Sequence, residues 1–557
     1  MDRPTYMPSA STARFARYAG FAMIVLTAAL LQLPSSTQAA VTPWSEPVKV
    51  STNKTGQVDW FPSVAADNTG NVFIVWNLTP YDDDKGHNST DPEALGQLEY
   101  TRWNGESWTP QTDIGLIWYG YALRNALAVD PAGRLQLIYK GWGNLEQRPV
   151  SGRTVQDLWS MSAAGARANV LSAWSVPKQI SKGNPAYFSD VAIDRQGVVH
   201  AIWTAGDSGG AWALFYAHSN NDGVTWSEPI TLSGDEPTWW YRAHLKTDSQ
   251  DHLHVVWEVT GNESNQTTGI TFGVTRKAVY AQSLDGGFTW VKHEFTQPLP
   301  TLKDNDGTPG PQQPVVDADG NGTILLVYRE FGTDQISYRQ STDGSRWSVP
   351  QPIPGVKSGV ARPYDIYDTA TDSNGHLHLV IVGYPVGSSE MSVLHSEWDG
   401  QAWTQPDVIA TPPPFPEYPR ITIGEGNKVH VVWFGGDIPT INRTPTGIWY
   451  SNSISSAPST RGQQSMSILA PPSKNGSGSS PTLAQIPTPD PKFLPTPEAL
   501  TEFQRASYGG SNSGMAGLLH QPVLPTLAAV GLVGLVLAVV FVARWRSAAF
   551  ARRLGGR

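Results

Sequence analysis

The sequence predicts an all-β fold: a β-propeller of seven four-stranded blades, closed by its own N-terminal strand and followed by a C-terminal transmembrane helix. Two interleaved series of repeats carry that expectation. The first is a tryptophan that opens a strand after a tight turn, at Trp44, Trp108, Trp174, Trp226, Trp290, Trp347 and Trp403, mostly as W-[S/T]-x-P. The second is a hairpin in which an Asp/Gly turn precedes an apolar strand. It runs as VAADNTGNVFIVW to Trp76, LAVDPAGRLQLIY to Tyr139, VAIDRQGVVHAIW to Trp203, LKTDSQDHLHVVW to Trp257, VDADGNGTILLVY to Tyr328, TATDSNGHLHLVI to Ile381 and ITIGEGNKVHVVW to Trp433. Trp44 has no hairpin before it, and the last hairpin has no tryptophan strand after it.

That offset is what a ring shows when its first strand completes its last blade. An isolated four-stranded sheet of about 50 to 60 residues cannot bury its faces, so such units stack radially and the ends lock together. Within each repeat the Asp/Gly turn joins an inner strand to a second strand, a loop leads to a third, and another tight turn delivers the tryptophan at the start of the outer strand. Asn104-Gly105, Asp222-Gly223, Gly286-Gly287, Asp343-Gly344 and Asp399-Gly400 supply that last turn, since these pairs tolerate the positive φ of two-residue hairpins. The seventh blade then combines residues 420–453 with residues 44–50. Gly 53, Pro 44 and Trp 22, with only 16% charged residues, suit many short strands joined by turns.

The ends of the chain suggest a location. Arg14 and Arg17, the apolar run from Phe21 to Leu33 and the small residues around Thr37, Ala39 and Ala40 read as a signal peptide over residues 1–40. The propeller follows over 41–453, and a Pro/Ser-rich stalk over 454–522 that cannot bury enough apolar surface to fold. Residues 523–543 are uncharged and long enough to span a bilayer. The tail 544–557 has five arginines and no acid, which puts it in the cytoplasm and the propeller outside.

Charge and cysteine narrow the partners. The chain carries −9; without the five tail arginines and the net +2 of the first 39 residues the remainder carries −16. So acidic a domain excludes nucleic acid, whose binding needs phosphate neutralisation by Lys and Arg. Cysteine is absent, which removes disulfides, thiol nucleophiles and Cys-based zinc sites. No cofactor and no metal is implied. His200, His254, His378 and His430 recur at one place in separate repeats and read as structural. DADGNG at 317–322 resembles half a calcium loop, but Tyr328 stands where the closing Glu belongs. Asp82, Asp83 and Asp84 read as a solvated acidic loop.

The turns resemble a known family. SLDGGFTW at 283–290 matches the Asp-box, S-x-D-x-G-x-T-W, of the sialidase (neuraminidase) superfamily of Asp-box, or BNR-repeat, propellers. SNNDGVTW ending at Trp226, STDGSRW ending at Trp347, WNGESW ending at Trp108 and WDGQAW ending at Trp403 are similar, degenerate copies. For an enzyme the resemblance implies three arginines gripping a carboxylate, a Tyr nucleophile paired with a Glu, and an Asp acid/base. Sialidases are an exception to the two-carboxylate rule for glycosidases. The chain departs from the pattern by lacking an F/Y-R-I-P segment near its start and by having seven repeats rather than six.

Candidate site residues lie in the loops that should line the central mouth. Those before the inner strands carry Tyr121 and Arg124; Trp239, Trp240, Tyr241 and Arg242; Arg362, Tyr364 and Asp365; and Glu417, Tyr418 and Arg420. Glu258, Arg329 and Glu330 follow second strands. Arginines bind carboxylates bidentately and aromatic faces stack on sugar rings. Two functions follow: a cell-surface module that binds an extracellular glycan or other anionic polymer at Tyr121, Arg124, Trp239, Trp240, Arg242, Arg329, Arg362, Tyr418 and Arg420, or an exo-sialidase-type hydrolase drawing its catalytic groups from Tyr241, Tyr364, Glu258, Glu330 and Asp365. A third possibility leaves the pocket empty of function, with aromatics plugging the channel and arginines paired to nearby acids.

Overall fold

A computed structural model of the chain describes residues 44–52, 57–82, 87–88, 96–117, 125–141, 157–181, 186–206, 213–234, 243–260, 275–296, 312–330, 333, 335–358, 366–436 and 445–454. The proposed signal peptide, stalk, membrane span and tail lie outside these residues. Among the described residues no helix is long and apolar enough to cross a membrane.

The fold is an all-β propeller. Four of its sheets have four strands each. From inside outward the first comprises Ala126–Val129, Arg134–Gly141, Asp157–Ala164 and Lys178–Gln179. The next two are Ala186–Ile193, Val199–Ala205, Ala213–Ser219 and Ile230–Thr231, then His244–Thr247, Leu253–Thr260, Thr275–Ser283 and Val291–Phe295. The fourth is Phe415–Gly424, Lys428–Gly436 and Pro445–Ile454, completed by Val48–Lys49. A fifth sheet holds Gln57–Ala66, Val72–Asp82, Gly96–Trp103 and Thr112–Ile117, with the short strand His87–Asn88 added to Val72–Asp82.

The fifth and sixth repeats do not form the separate sheets expected. Gln312–Ala318, Ile324–Arg329, Gln335–Ser341 and Gln351–Lys357 continue into Tyr367–Thr371, Leu377–Pro385, Ser392–Trp398 and Asp407–Ala410 as one eight-stranded sheet. The join is Val356 opposite Pro385 and Lys357 opposite Tyr384. Its cause is local: the outer strand bulges between its pairings with Ser337 and Gln335, and Gly355 turns it at φ 72°. A side chain at Gly355 would collide with Gln405 and Pro406 of the next repeat, so only glycine allows this approach.

The repeated tryptophans also sit differently from the expectation. Trp108, Trp174 and Trp403 each make a single bridge to the third strand, and the outer strand proper starts later. In W-[S/T]-x-P the proline lacks an N–H to give the ladder. Outer strands therefore begin directly after Pro47, Pro177, Pro229, Pro350 and Pro406, whereas Trp290, with no following proline, is succeeded at once by Val291–Phe295.

Closure is as the offset of the two series requires. Val48 pairs with Tyr450 and Lys49 with Trp449. The Ser45 N–H donates to Asn452 O and the Val50 N–H to Ile448 O, both at 2.8 Å. Apolar clusters fill the spaces between adjacent repeats. Trp60, Trp76, Tyr418, Phe434 and Tyr450 bind the first repeat to the last, and Phe73, Tyr100, Leu135, Trp159 and Trp174 bind the first to the second. The Asp-box turn is part of this packing: Tyr216 of the third repeat donates to Gly286 O at 3.1 Å, and a side chain at Gly287 would strike its ring. Deleting residues 41–50 removes an outer strand and the closure together. The truncated domain is expected to melt at a clearly lower temperature by calorimetry, and an unchanged melting temperature would refute the closure.

Candidate ligand mouth and central channel

Side chains alternate along a strand, so residues two and four places before each Asp/Gly turn share one face of the inner strand. In the third to seventh repeats those places hold Asp190, His244 with Lys246, Asp317, Asp368 and Arg420. They line a central cavity of about 470 Å³. Lys246 reaches across it. Its Nζ lies 3.2 Å from Asp368 Oδ1 and also donates to Thr369 O. Asp368 Oδ2 accepts the Ile421 N–H at 3.2 Å, and Asp190 Oδ2 accepts the Leu245 N–H at 3.0 Å with His244 Nδ1 at 3.7 Å.

The electrostatics of this hub balance internally. Burial alone would raise the Asp368 carboxyl, but Lys246 and Arg420 outweigh it and hold it below the usual range. Burial raises Asp190 and Asp317 despite the pull of Lys246. For Lys246 burial favours loss of the proton, yet the three carboxylates prevail and its pKa is raised. Its side chain is 23% exposed and lines the cavity.

The described candidates are built into the scaffold. Tyr418 is 1% exposed and stands edge-on to Phe61 at 5.0 Å. The Arg420 guanidinium lies 3.6 Å from the Tyr418 ring centre and donates to Pro419 O at 2.8 Å. Glu258 is buried; it accepts Thr275 Oγ1 at 3.2 Å and the Gln313 N–H, tying the fourth repeat to the fifth. Arg329 is buried and donates from Nε to Ser358 Oγ at 3.0 Å. Glu330 accepts from Ser337 Oγ at 2.6 Å. Tyr121, Arg124, Trp239, Trp240, Tyr241, Arg242, Arg362, Tyr364 and Asp365 lie outside the described residues.

The recurring histidines are structural in detail. His200, His254 and His430 share hydrogen bonds through Nδ1 with the hydroxyls of Tyr216, Tyr280 and Tyr450, and His378 with His395 Nε2. The half calcium loop is likewise satisfied by protein donors: Asp319 accepts the Asn321 and Thr323 N–H groups and the Trp398 indole.

Residues 150–431, half of the chain, match the BNR repeat-like domain. The chain belongs to the BNR repeat-like domain family. No curated protein sequence matches it. Solved structures similar to it include a protein of unknown function from Dyadobacter fermentans (15% identity, 74% of this chain and 99% of that one, TM-score 0.41). Others are the NanB sialidase from Streptococcus pneumoniae (12%, 74% and 70%, 0.40) and the BP39L lectin from Burkholderia pseudomallei (13%, 67% and 95%, 0.41).

Sequence reasoning missed Asp190, His244, Lys246, Asp317 and Asp368 of this BNR repeat-like propeller. Their common spacing to the turns is the signal that would have found them. A second spacing signal lies six residues before the turns, where Phe61, Gln313 and Tyr418 adopt φ of 48°, 54° and 54°, each followed by proline. Each accompanies a break in the register of the inner strand. Removing Lys246 leaves Asp190, Asp317 and Asp368 facing one another, with Arg420 still acting on Asp190 and Asp368. Lys246→Met is expected to cost about 3 to 5 kcal/mol in denaturant unfolding at pH 7.5, the range for breaking a buried ion pair. The deficit should shrink in acid, because the carboxylates' folded pKa values then lie above their unfolded ones and that stability is lost as pH rises. A deficit independent of pH would show that Lys246 acts only by packing.

Proposed function

We propose that this propeller is a membrane-anchored, cell-surface binding module that holds an extracellular glycan or other anionic ligand at its mouth without turning it over. One observation carries the reading: the charges lining the channel are engaged with one another, while the Tyr- and Arg-rich connections all join the end at which the inner strands begin. Inner and second strands run antiparallel, so the loops before the former and after the latter meet at that end. Arg124 and Arg242 stand six residues before the turns of their repeats, the position of Tyr418, which lines the cavity. The opposite end carries tight turns such as Gly286-Gly287 and, in the second repeat, the short 3-10 helices Gly165–Arg167 and Leu171–Ala173.

Hydrolysis of the sialidase type is the weaker reading. Glu258 and Arg329, at one repeat position in neighbouring repeats, are both consumed by contacts within the scaffold. We also count the eight-stranded sheet as two blades, which makes the ring seven-bladed with Val48–Lys49 completing the last.

Arg242→Ala and Arg362→Ala are each expected to weaken ligand binding by roughly 1.5 to 3 kcal/mol, the range for a hydrogen bond to a charged group, with little loss of stability. A glycan array on the soluble domain, followed by titration of its best hit, checks this. Unchanged affinity in both variants would make the mouth a packed channel, and cleavage of a fluorogenic sialoside, lost in Tyr241→Phe or Tyr364→Phe, would replace binding by catalysis.

The topology has its own test. Protease applied to intact cells should release a soluble propeller by cutting within 454–522, and full protection of the propeller would refute the surface location.

A further inference from the structure

The seam between the last and first repeats converges on one carboxyl group. Ser51 Oγ accepts the Ile448 N–H at 2.9 Å and donates its proton to Asp59 Oδ2 at 2.9 Å. The Trp76 indole donates to Asp59 Oδ1 at 2.6 Å. Asp59 thereby joins the third strand of the last repeat, the N-terminal segment and the two innermost strands of the first repeat. It is 2% exposed. Two charges face it: Lys49 from the closing strand and Glu99 from Gly96–Trp103. The Lys49 stem lies against Gly447, where any side chain would collide with it.

We infer that Asp59 is a proton-operated clasp on the ring: its neutral form tightens the seam and its ionised form loosens it, so that closure responds to acidity. The neutral group keeps the number of hydrogen bonds at the node, with the Ser51–Asp59 bond reversed. Oδ1 still accepts from Trp76, and a protonated Oδ2 donates to Ser51 Oγ, whose two lone pairs serve it and the Ile448 N–H together. What disappears is a buried charge, whose desolvation is costly unless fully compensated. Burial is the main cause that pushes the Asp59 carboxyl up to about 6; hydrogen bonds from Ser51 and Trp76 and the charge of Lys49 oppose the rise, and Glu99 adds to it. An aspartate in an unfolded chain titrates near ~3.9. The folded pKa is therefore the higher, and the stability held by the proton is complete below the unfolded value and lost as pH rises through about 6.

The test compares the wild-type domain with Asp59→Asn by calorimetry from pH 5 to 7.5, with hydrogen exchange of residues 44–52 corrected for the intrinsic rate. Asp190 and Asp317 add a pH dependence common to both proteins, so the difference between them decides. The two are expected to match at pH 5, with Asp59→Asn melting a few degrees higher at pH 7.5 and the wild type alone showing faster seam exchange as pH rises. An offset constant with pH, or a lower melting temperature for Asp59→Asn at pH 7.5, would overturn the clasp. If Asp59→Asn does not fold, Lys49→Met decides: without the cation the step in seam exchange should move to higher pH, and an unmoved step refutes the proposal.

Discussion

Every sheet in this protein depends on being covered by the next, and the chain supplies that neighbour everywhere except at the seam. There a strand of only two residues, Val48–Lys49, must complete the last repeat. So short a pairing is marginal in water on its own. It is reinforced from both sides: Trp44 stands edge-on to His395 at 5.1 Å, the Asn452 N–H donates to Ser45 Oγ at 3.0 Å, and Ser51 links Ile448 to Asp59. The seam thus adds these polar links to the apolar cluster that joins the first repeat to the last.

The centre obeys a different economy. Inner strands converge, so side chains pointing inward meet at short range around the central cavity, and several of them are charged. Lys246, 122 residues from Asp368 in sequence, spans the cavity because carboxylates from three repeats converge on it. Replacing such a set by apolar residues is often neutral for stability, whereas removing a single member is not. The hub is consequently better understood as fixing which inner strands face one another than as a source of net stability.

The strands, their turns and the closing strand were legible because each rests on local rules: Asp/Gly turns, alternation and the offset of two repeats. The tryptophans were placed within a few residues, and the error came from reading the aromatic residue rather than the donor-less proline behind it. The fusion of the fifth and sixth repeats was not legible, since it turns on the close approach of Gly355 to Gln405, a tertiary contact. Tyr418 and Arg420 were read as a ligand-binding face. In the structure Tyr418 takes φ 54° before Pro419, which turns its ring into the cluster with Phe61 and leaves Arg420 stacked on it beside Asp190 and Asp368. Tyr418 is thus packed into the scaffold, and both residues line the cavity.

That outcome sharpens where an anionic ligand would be met. The cavity presents three carboxylates against Lys246 and Arg420, so an anion entering it would displace existing partners and face uncompensated aspartates at short range. Such like-charge contacts cost more in a confined space of lower dielectric than in open water. The hub therefore leaves little place for a further anion inside the ring, because its carboxylates already hold Lys246 and Arg420.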